Sequence, residues 1–74
     1  MIIVYGKESC RFCKNTLQAL KTFNIPFEYK TLDKDYSKED FLEVVPNGHN
    51  TFPAIFEGEN FLGGFSEFKS SYFS

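Results

Sequence analysis

The chain of 74 residues has no tryptophan, one histidine, one methionine, three prolines and only two cysteines. Each shortage excludes something. Two cysteines cannot build the multiply bridged scaffold that many small secreted domains rely on. Eight basic residues against ten acidic ones leave a net charge of −2. A nucleic-acid binder would need a basic stripe, so no nucleic-acid partner is expected. No apolar run approaches the roughly 18 residues of a membrane helix, so no membrane span is expected either. Linkers, repeats and low-complexity tracts are missing, and one domain over residues 1–74 follows.

Aromatic residues are what the chain has in quantity: ten Phe and four Tyr. A chain this short buries only about 60% of its extended surface, and each buried aromatic removes roughly 150–250 Å² from water. Phe23, Phe27, Phe41 and Phe56 are read as core. The opening run Met1 to Tyr5 is apolar and lacks a basic lead, so it reads as a strand and not an export signal. A reducing, cytoplasmic compartment is therefore the expectation, and a monomer with it.

Ile2 to Tyr5 is a short apolar run closed by Gly6, as in a strand buried on both faces. From about Cys10 to Asn24 the pattern turns helical. Cys13, Thr16, Leu17, Leu20 and Phe23 fall on one face, and Arg11, Lys14, Asn15, Gln18 and Lys21 on the other. Pro26 confines the end of that helix. Phe27 to Leu32 alternates as a second strand, which makes a right-handed βαβ unit with parallel strands. Ser37 and Asp40 have the spacing of a capping box for a short helix through Val45, with Phe41, Leu42 and Val45 inward and Pro46-Asn47-Gly48 as its stop. Ala54–Phe56 and Asn60–Leu62 flank Glu57-Gly58-Glu59 as a hairpin. Gly63-Gly64 ends it, and Ser66 is read as the cap of a last helix through about Tyr72, with Phe65, Phe68 and Tyr72 on one face. The order β-α-β-α-β-β-α predicts a four-stranded mixed sheet with helices on both faces.

The two cysteines stand three apart, as Cys10-Arg11-Phe12-Cys13, at the mouth of the first helix. Two thiols so placed can close into one small disulfide and reopen. An ordinary thiol is only about 3% thiolate at neutral pH, and shifting that to a majority takes about 2.7 kcal/mol. A helix N-terminus supplies up to about 2 kcal/mol. The remainder is expected from the Phe12 and Cys13 backbone N–H groups and from Lys7, Arg11 and Lys14, with Glu8 offsetting one of those charges. Cys10 is thus the attacking thiolate, and Cys13, one turn inside, resolves the mixed disulfide. A zinc half-site would need four ligands. Only His49 and scattered carboxylates could complete it, so no metal is expected.

Four segments now carry a resemblance to glutaredoxins of the thioredoxin-like superfamily. Val4-Tyr5-Gly6-Lys7 resembles the family's first strand and lysine, and Cys10-Arg11-Phe12-Cys13 its CPYC. Thr51-Phe52-Pro53 resembles its Thr-Val-Pro, and Gly63-Gly64-Phe65-Ser66 its double-glycine turn. The resemblance implies the thioredoxin-like fold with strand order 2-1-3-4 and a cis Pro53 facing the thiols. Glutathione is implied as reducing co-substrate. Its cysteinyl part would pair with the Phe52 backbone beside Thr51. Its γ-glutamyl carboxylate would lie at Gly64, the Phe65 and Ser66 N–H groups and the Ser66 hydroxyl, and Lys7 would face its glycyl carboxylate. The Phe12 ring would cover the bound thiol. His49 is read as an exposed loop histidine, the other reading being a contact to the glycyl carboxylate. Arg11 replaces the usual proline and adds positive charge, Phe12 replaces tyrosine, and Ser66 stands where aspartate is frequent.

The function expected is glutathione-dependent reduction of protein disulfides and glutathione mixed disulfides. Ribonucleotide reductase is the protein substrate that the resemblance implies. A hydrogen donor recharged by thioredoxin reductase is the runner-up. An iron–sulfur cluster carrier is the non-enzyme alternative.

Overall fold

The computed structural model describes the chain except Asn47, Gly48, Asn50, Ser74 and the side chains of Tyr72 and Phe73. The Asn47-Gly48 stop and the inward face of Tyr72 therefore lie outside the described residues. Seven elements follow in order: β1 (Ile2–Gly6), α1 (Arg11–Thr22), β2 (Phe27–Thr31), α2 (Lys38–Val44), β3 (Ala54–Glu57), β4 (Asn60–Gly63) and α3 (Phe65–Phe73). The strands form one sheet in the order β2-β1-β3-β4. β1 runs parallel to β2, with Val4 opposite Tyr29, and antiparallel to β3, with Val4 opposite Ile55. This is the mixed sheet and the thioredoxin-like order expected.

Alternation along β1 and β3 divides the core between the two faces of the sheet. Ile2, Val4 and Ile55 point to the face covered by α1 and α3, where Leu20 and Phe68 meet them. Ala54 and Phe56 point to the other face, where Phe41 of α2, Val45 and Tyr36 close over them. Phe41 and Phe68 are almost wholly buried, each contributing about 1.5–3 kcal/mol of transfer free energy.

α2 carries the capping box that its sequence announced. The Asp40 N–H donates to the Ser37 hydroxyl, and the Ser37 N–H donates to the Asp40 carboxylate, both at 3.2 Å. Leu42, expected inside, is exposed. In a helix of seven residues Phe41 and Val45 reach the sheet, and Leu42 is turned about 100° away from Phe41. Phe23 is also corrected. α1 ends at Thr22, Phe23 caps it and stands in solvent, and Asn24 takes a positive φ of 56°. The chain then folds back, with the Ile25 N–H donating to the Leu20 carbonyl at 2.9 Å. Ile25 packs against the core in its place.

The third correction concerns Ser66. α3 begins at Phe65, two residues earlier than a Ser66 cap requires, and the Gly64 carbonyl accepts the first helical bond from the Phe68 N–H at 2.9 Å. Gly64 is thus the cap. Gly63 before it has φ 111°, and a Cβ there would meet the Glu67 Cβ at 2.7 Å. Only glycine fits that turn.

Candidate active site

β1 ends in a loop that aims the chain at the mouth of α1. Gly6 permits this, because a Cβ on it would meet the Tyr29 hydroxyl at 2.2 Å. Two phenols grip the backbone there. Tyr36 donates to the Gly6 carbonyl at 2.6 Å, and Tyr29 donates to the Lys7 carbonyl at 3.4 Å. Cys10 follows as the N-cap of α1, and its carbonyl accepts the first helical bond from the Lys14 N–H at 3.1 Å.

The Cys10 sulfur accepts a hydrogen bond from the Cys13 backbone N–H at 3.2 Å. Of the two amides expected to serve it, Cys13 makes the bond. Both thiols are free. Cys10 keeps 8% of its surface accessible and Cys13 none, which is the outer and inner order the helical spacing called for. Burial pushes the Cys13 thiol up to about 11, helped by its hydrogen bond with Cys10. The Lys7 backbone and the Tyr29 hydroxyl act on Cys13 in the opposite sense. Glu8 does not offset the nearby lysines as expected, since its carboxylate pairs with Lys34 at 2.6 Å and is lowered by that bond.

The Phe52–Pro53 peptide bond is cis. Thr51 and Phe52 separate two cavities. One, of about 600 Å³, is lined by Cys10, Ser9, Lys7, Lys38 and Leu32 together with Thr51 and Phe52. The Lys7 ammonium sits over the Phe52 ring, 5.2 Å from its centroid. The other cavity, of about 430 Å³, runs from Phe12 past Pro53 to Gly64, Phe65, Ser66 and Glu67. Phe12 is half exposed above it, its ring 6.1 Å from that of Phe65. The two cavities make a groove with a thiol and two lysines at one end and a helix N-terminus at the other.

Nearly every residue singled out from the sequence meets in this groove. Arg11 does not line it; it is the first, exposed residue of α1. His49 is half-buried, not the exposed loop residue expected. Its ring lies edge-on to Phe61 at 4.9 Å and outside both cavity linings, and its Nε2 is buried with no hydrogen-bond partner among the described residues. Glu67 and Lys38 were missed. Glu67 lines the groove and accepts a hydrogen bond from the Gly64 N–H at 2.8 Å. An acidic residue three places after a helix cap is the signal that finds it, once the cap is placed at Gly64. The acidic group that seemed absent where Ser66 replaces aspartate is therefore present one residue later.

A family model described as Glutaredoxin matches residues 2–62. A glutaredoxin of Haemophilus influenzae is 29% identical over 75 residues, spanning 93% of this chain and 86% of that protein. Glutaredoxin-1 of vaccinia virus is 32% identical over 72 residues, spanning 89% of this chain and 66% of the viral one. Among solved structures, glutaredoxin 1 of Francisella tularensis, crystallised with cacodylate, matches with a TM-score of 0.78 at 26% identity, over 95% of this chain and 88% of that one.

Proposed function

The chain belongs to the glutaredoxin family, and from that premise we propose that this thiol–disulfide oxidoreductase draws its electrons from glutathione. The observation that carries the reading is the groove itself. It offers an outer thiol and two lysines on one side of Thr51 and Phe52, and the N-terminus of α3 on the other.

Glutathione is a short peptide with a carboxylate at each end. Lys7 takes the glycyl carboxylate. Beyond Thr51 the Phe52 backbone pairs with the cysteinyl unit as an added strand would. The γ-glutamyl carboxylate lies at the Phe65 and Ser66 N–H groups and the Ser66 hydroxyl. The ammonium beside it pairs with Glu67, which lines the same cavity.

Cys10 attacks the glutathionyl sulfur of a mixed disulfide. The old S–S bond breaks, the protein sulfur leaves with the electron pair and takes up a proton, and Cys10 is left joined to glutathione. A second glutathione thiolate attacks that bond, restores Cys10 and departs as oxidised glutathione. On a protein disulfide Cys10 forms the mixed bond and Cys13 displaces the substrate sulfur. Ribonucleotide reductase stands as a candidate protein substrate on family grounds, and a monomer in the cytoplasm completes the proposal.

The test is reduction of a glutathionylated peptide with either glutathione or thioredoxin reductase as the electron source. Turnover with glutathione is expected, with Lys7→Gln raising its KM about tenfold or more, the worth of one charge-assisted hydrogen bond. Turnover with thioredoxin reductase alone would overturn the proposal.

A further inference from the structure

The groove does not end at Lys7. Lys7 and Leu32, which line the thiol cavity, also line a third cavity of about 370 Å³, whose other walls are Glu8, Asp33 and Lys34. With its glycyl carboxylate at Lys7, glutathione ends before that cavity. A protein substrate does not end there. Its chain continues past the residue that follows the reactive cysteine, at about 3.3–3.6 Å per residue, and the third cavity lies in its path.

The wall of this cavity is already ordered. The Lys34 and Asp35 N–H groups both donate to the Thr31 carbonyl, at 3.1 Å and 2.8 Å, and the Asp33 N–H donates to the Tyr36 carbonyl at 2.7 Å. The Tyr36 hydroxyl ties the same turn to the Gly6 carbonyl at the end of β1. A chain that binds there does not have to order the turn first.

The charges around the cavity are not equivalent. Glu8 and Lys34 pair across 2.6 Å, and the Lys7 ammonium sits over the Phe52 ring. The Asp33 carboxylate is exposed and makes neither an ion pair nor a hydrogen bond among the described residues. Asp35 supplies the contrast, because its carboxylate accepts from the Thr31 N–H at 2.8 Å and so belongs to the turn. Asp33 has a φ of 68°, which asparagine tolerates as well as aspartate does. The turn therefore accounts for a short polar residue at this position and not for its charge. Leu32 offers an apolar surface beside that charge. A lysine or arginine side chain uses both, a surface for its stem and a counter-charge for its head.

Resting on the glutathione-linked reading above, which sets the direction of the bound chain, we propose that the third cavity is the subsite for the segment of a protein substrate that follows its reactive cysteine, and that Asp33 selects a basic side chain there, two or three residues after the cysteine. Asp33 touches no reacting atom and acts on specificity alone. The chemistry is unchanged. Cys10 attacks the substrate disulfide, and one substrate sulfur leaves with the electron pair and takes up a proton. Cys13 then displaces the other, so the substrate gains two thiols as the enzyme gains one disulfide.

The test is a single turnover of the reduced protein with two blocked peptides, Ala-Cys-Gly-Lys-Lys and Ala-Cys-Gly-Ala-Ala. Each is supplied at low concentration as its disulfide-linked dimer, with no glutathione present. Acid quenching and chromatography give a rate constant for each. The readout is the ratio of the lysine peptide to the alanine peptide, because any intrinsic effect of lysine on the peptide disulfide is common to every variant. Asp33→Asn is expected to lower that ratio about twofold to fivefold, the worth of one exposed ion pair. Glu59→Gln makes the same loss of charge in the turn between β3 and β4 and is expected to leave the ratio unchanged. With Lys-Lys-Gly-Cys-Ala, where the basic pair precedes the cysteine, Asp33→Asn is expected to have no effect. An unchanged ratio in Asp33→Asn, an equal fall in Glu59→Gln, or an equal effect on the reversed peptide overturns the proposal. The assay holds no glutathione, so a protein recharged by thioredoxin reductase alone would lose the proposed reductant while a lowered ratio still upheld the role of Asp33.

Discussion

The Cys13 backbone N–H donates to the Cys10 sulfur across 3.2 Å, so the residue that buries one thiol also holds the other. The two roles come from one turn of helix. Cys10 is a cap, outside the hydrogen-bonded ladder and facing the groove, and Cys13 is the third helical residue, facing the sheet. Two chemically identical side chains thereby acquire different surroundings.

The first prediction concerns pH and stability. Folding raises the Cys13 thiol from an ordinary 9.0 to about 11, so the reduced fold favours the protonated thiol. That contribution is full below pH 9 and is lost as pH rises toward 11, a loss of a few kcal/mol at most, on the order of 1.4 kcal/mol per unit. Tyr29 and Tyr36 are raised as well and add a loss of the same sign, beginning about one unit higher. Urea unfolding of the reduced protein should show the decline, and Cys13→Ser should flatten its first part.

Glu67 joins two functions that one pair of substitutions separates. Glu67→Gln keeps an oxygen for the Gly64 N–H but removes the charge, so stability should hold while the KM for glutathione rises about fivefold to tenfold. Glu67→Ala should show the same KM and also lose about 0.5–2 kcal/mol, as helix caps do. Denaturant midpoints and glutathione titrations together check both.

Gly6 is expected to resist any side chain. Gly6→Ala would drive a methyl into the Tyr29 hydroxyl and ring, at 2.2 Å and 2.6 Å. Overpacking of this kind costs about 1–3 kcal/mol. The urea midpoint should fall accordingly.

Ser37→Ala should cost about 1 kcal/mol through the broken capping box of α2, with no change in the glutathione KM. Thermal unfolding and a glutathione titration of the same sample check it.

Much of this architecture was legible because local signals agreed with the global arrangement. The period of α1, the Ser37 box and the turn around Gly58 each placed an element within a residue or two of its observed bounds. The groove was legible through four short segments whose meeting depends on the strand order. What failed had physical causes. Phe23 continues the helical period, but the period does not reveal that the chain turns at Asn24 and sends Ile25 back in its stead. Ser66 looked like a cap because Ser is a good one, yet Gly64 caps the helix two residues sooner, and that shift hid Glu67. His49 is set by tertiary packing against Phe61, for which a loop sequence carries no periodic signal.

The most direct test of the account compares Cys10→Ser and Cys13→Ser in two glutathione-driven assays, one on a glutathionylated peptide and one on a protein disulfide. Cys10→Ser should be inactive in both, and Cys13→Ser should keep the first and lose the second. Activity retained by Cys10→Ser, or the peptide reaction lost with Cys13→Ser, would contradict the division of labour between the outer thiol and the buried one.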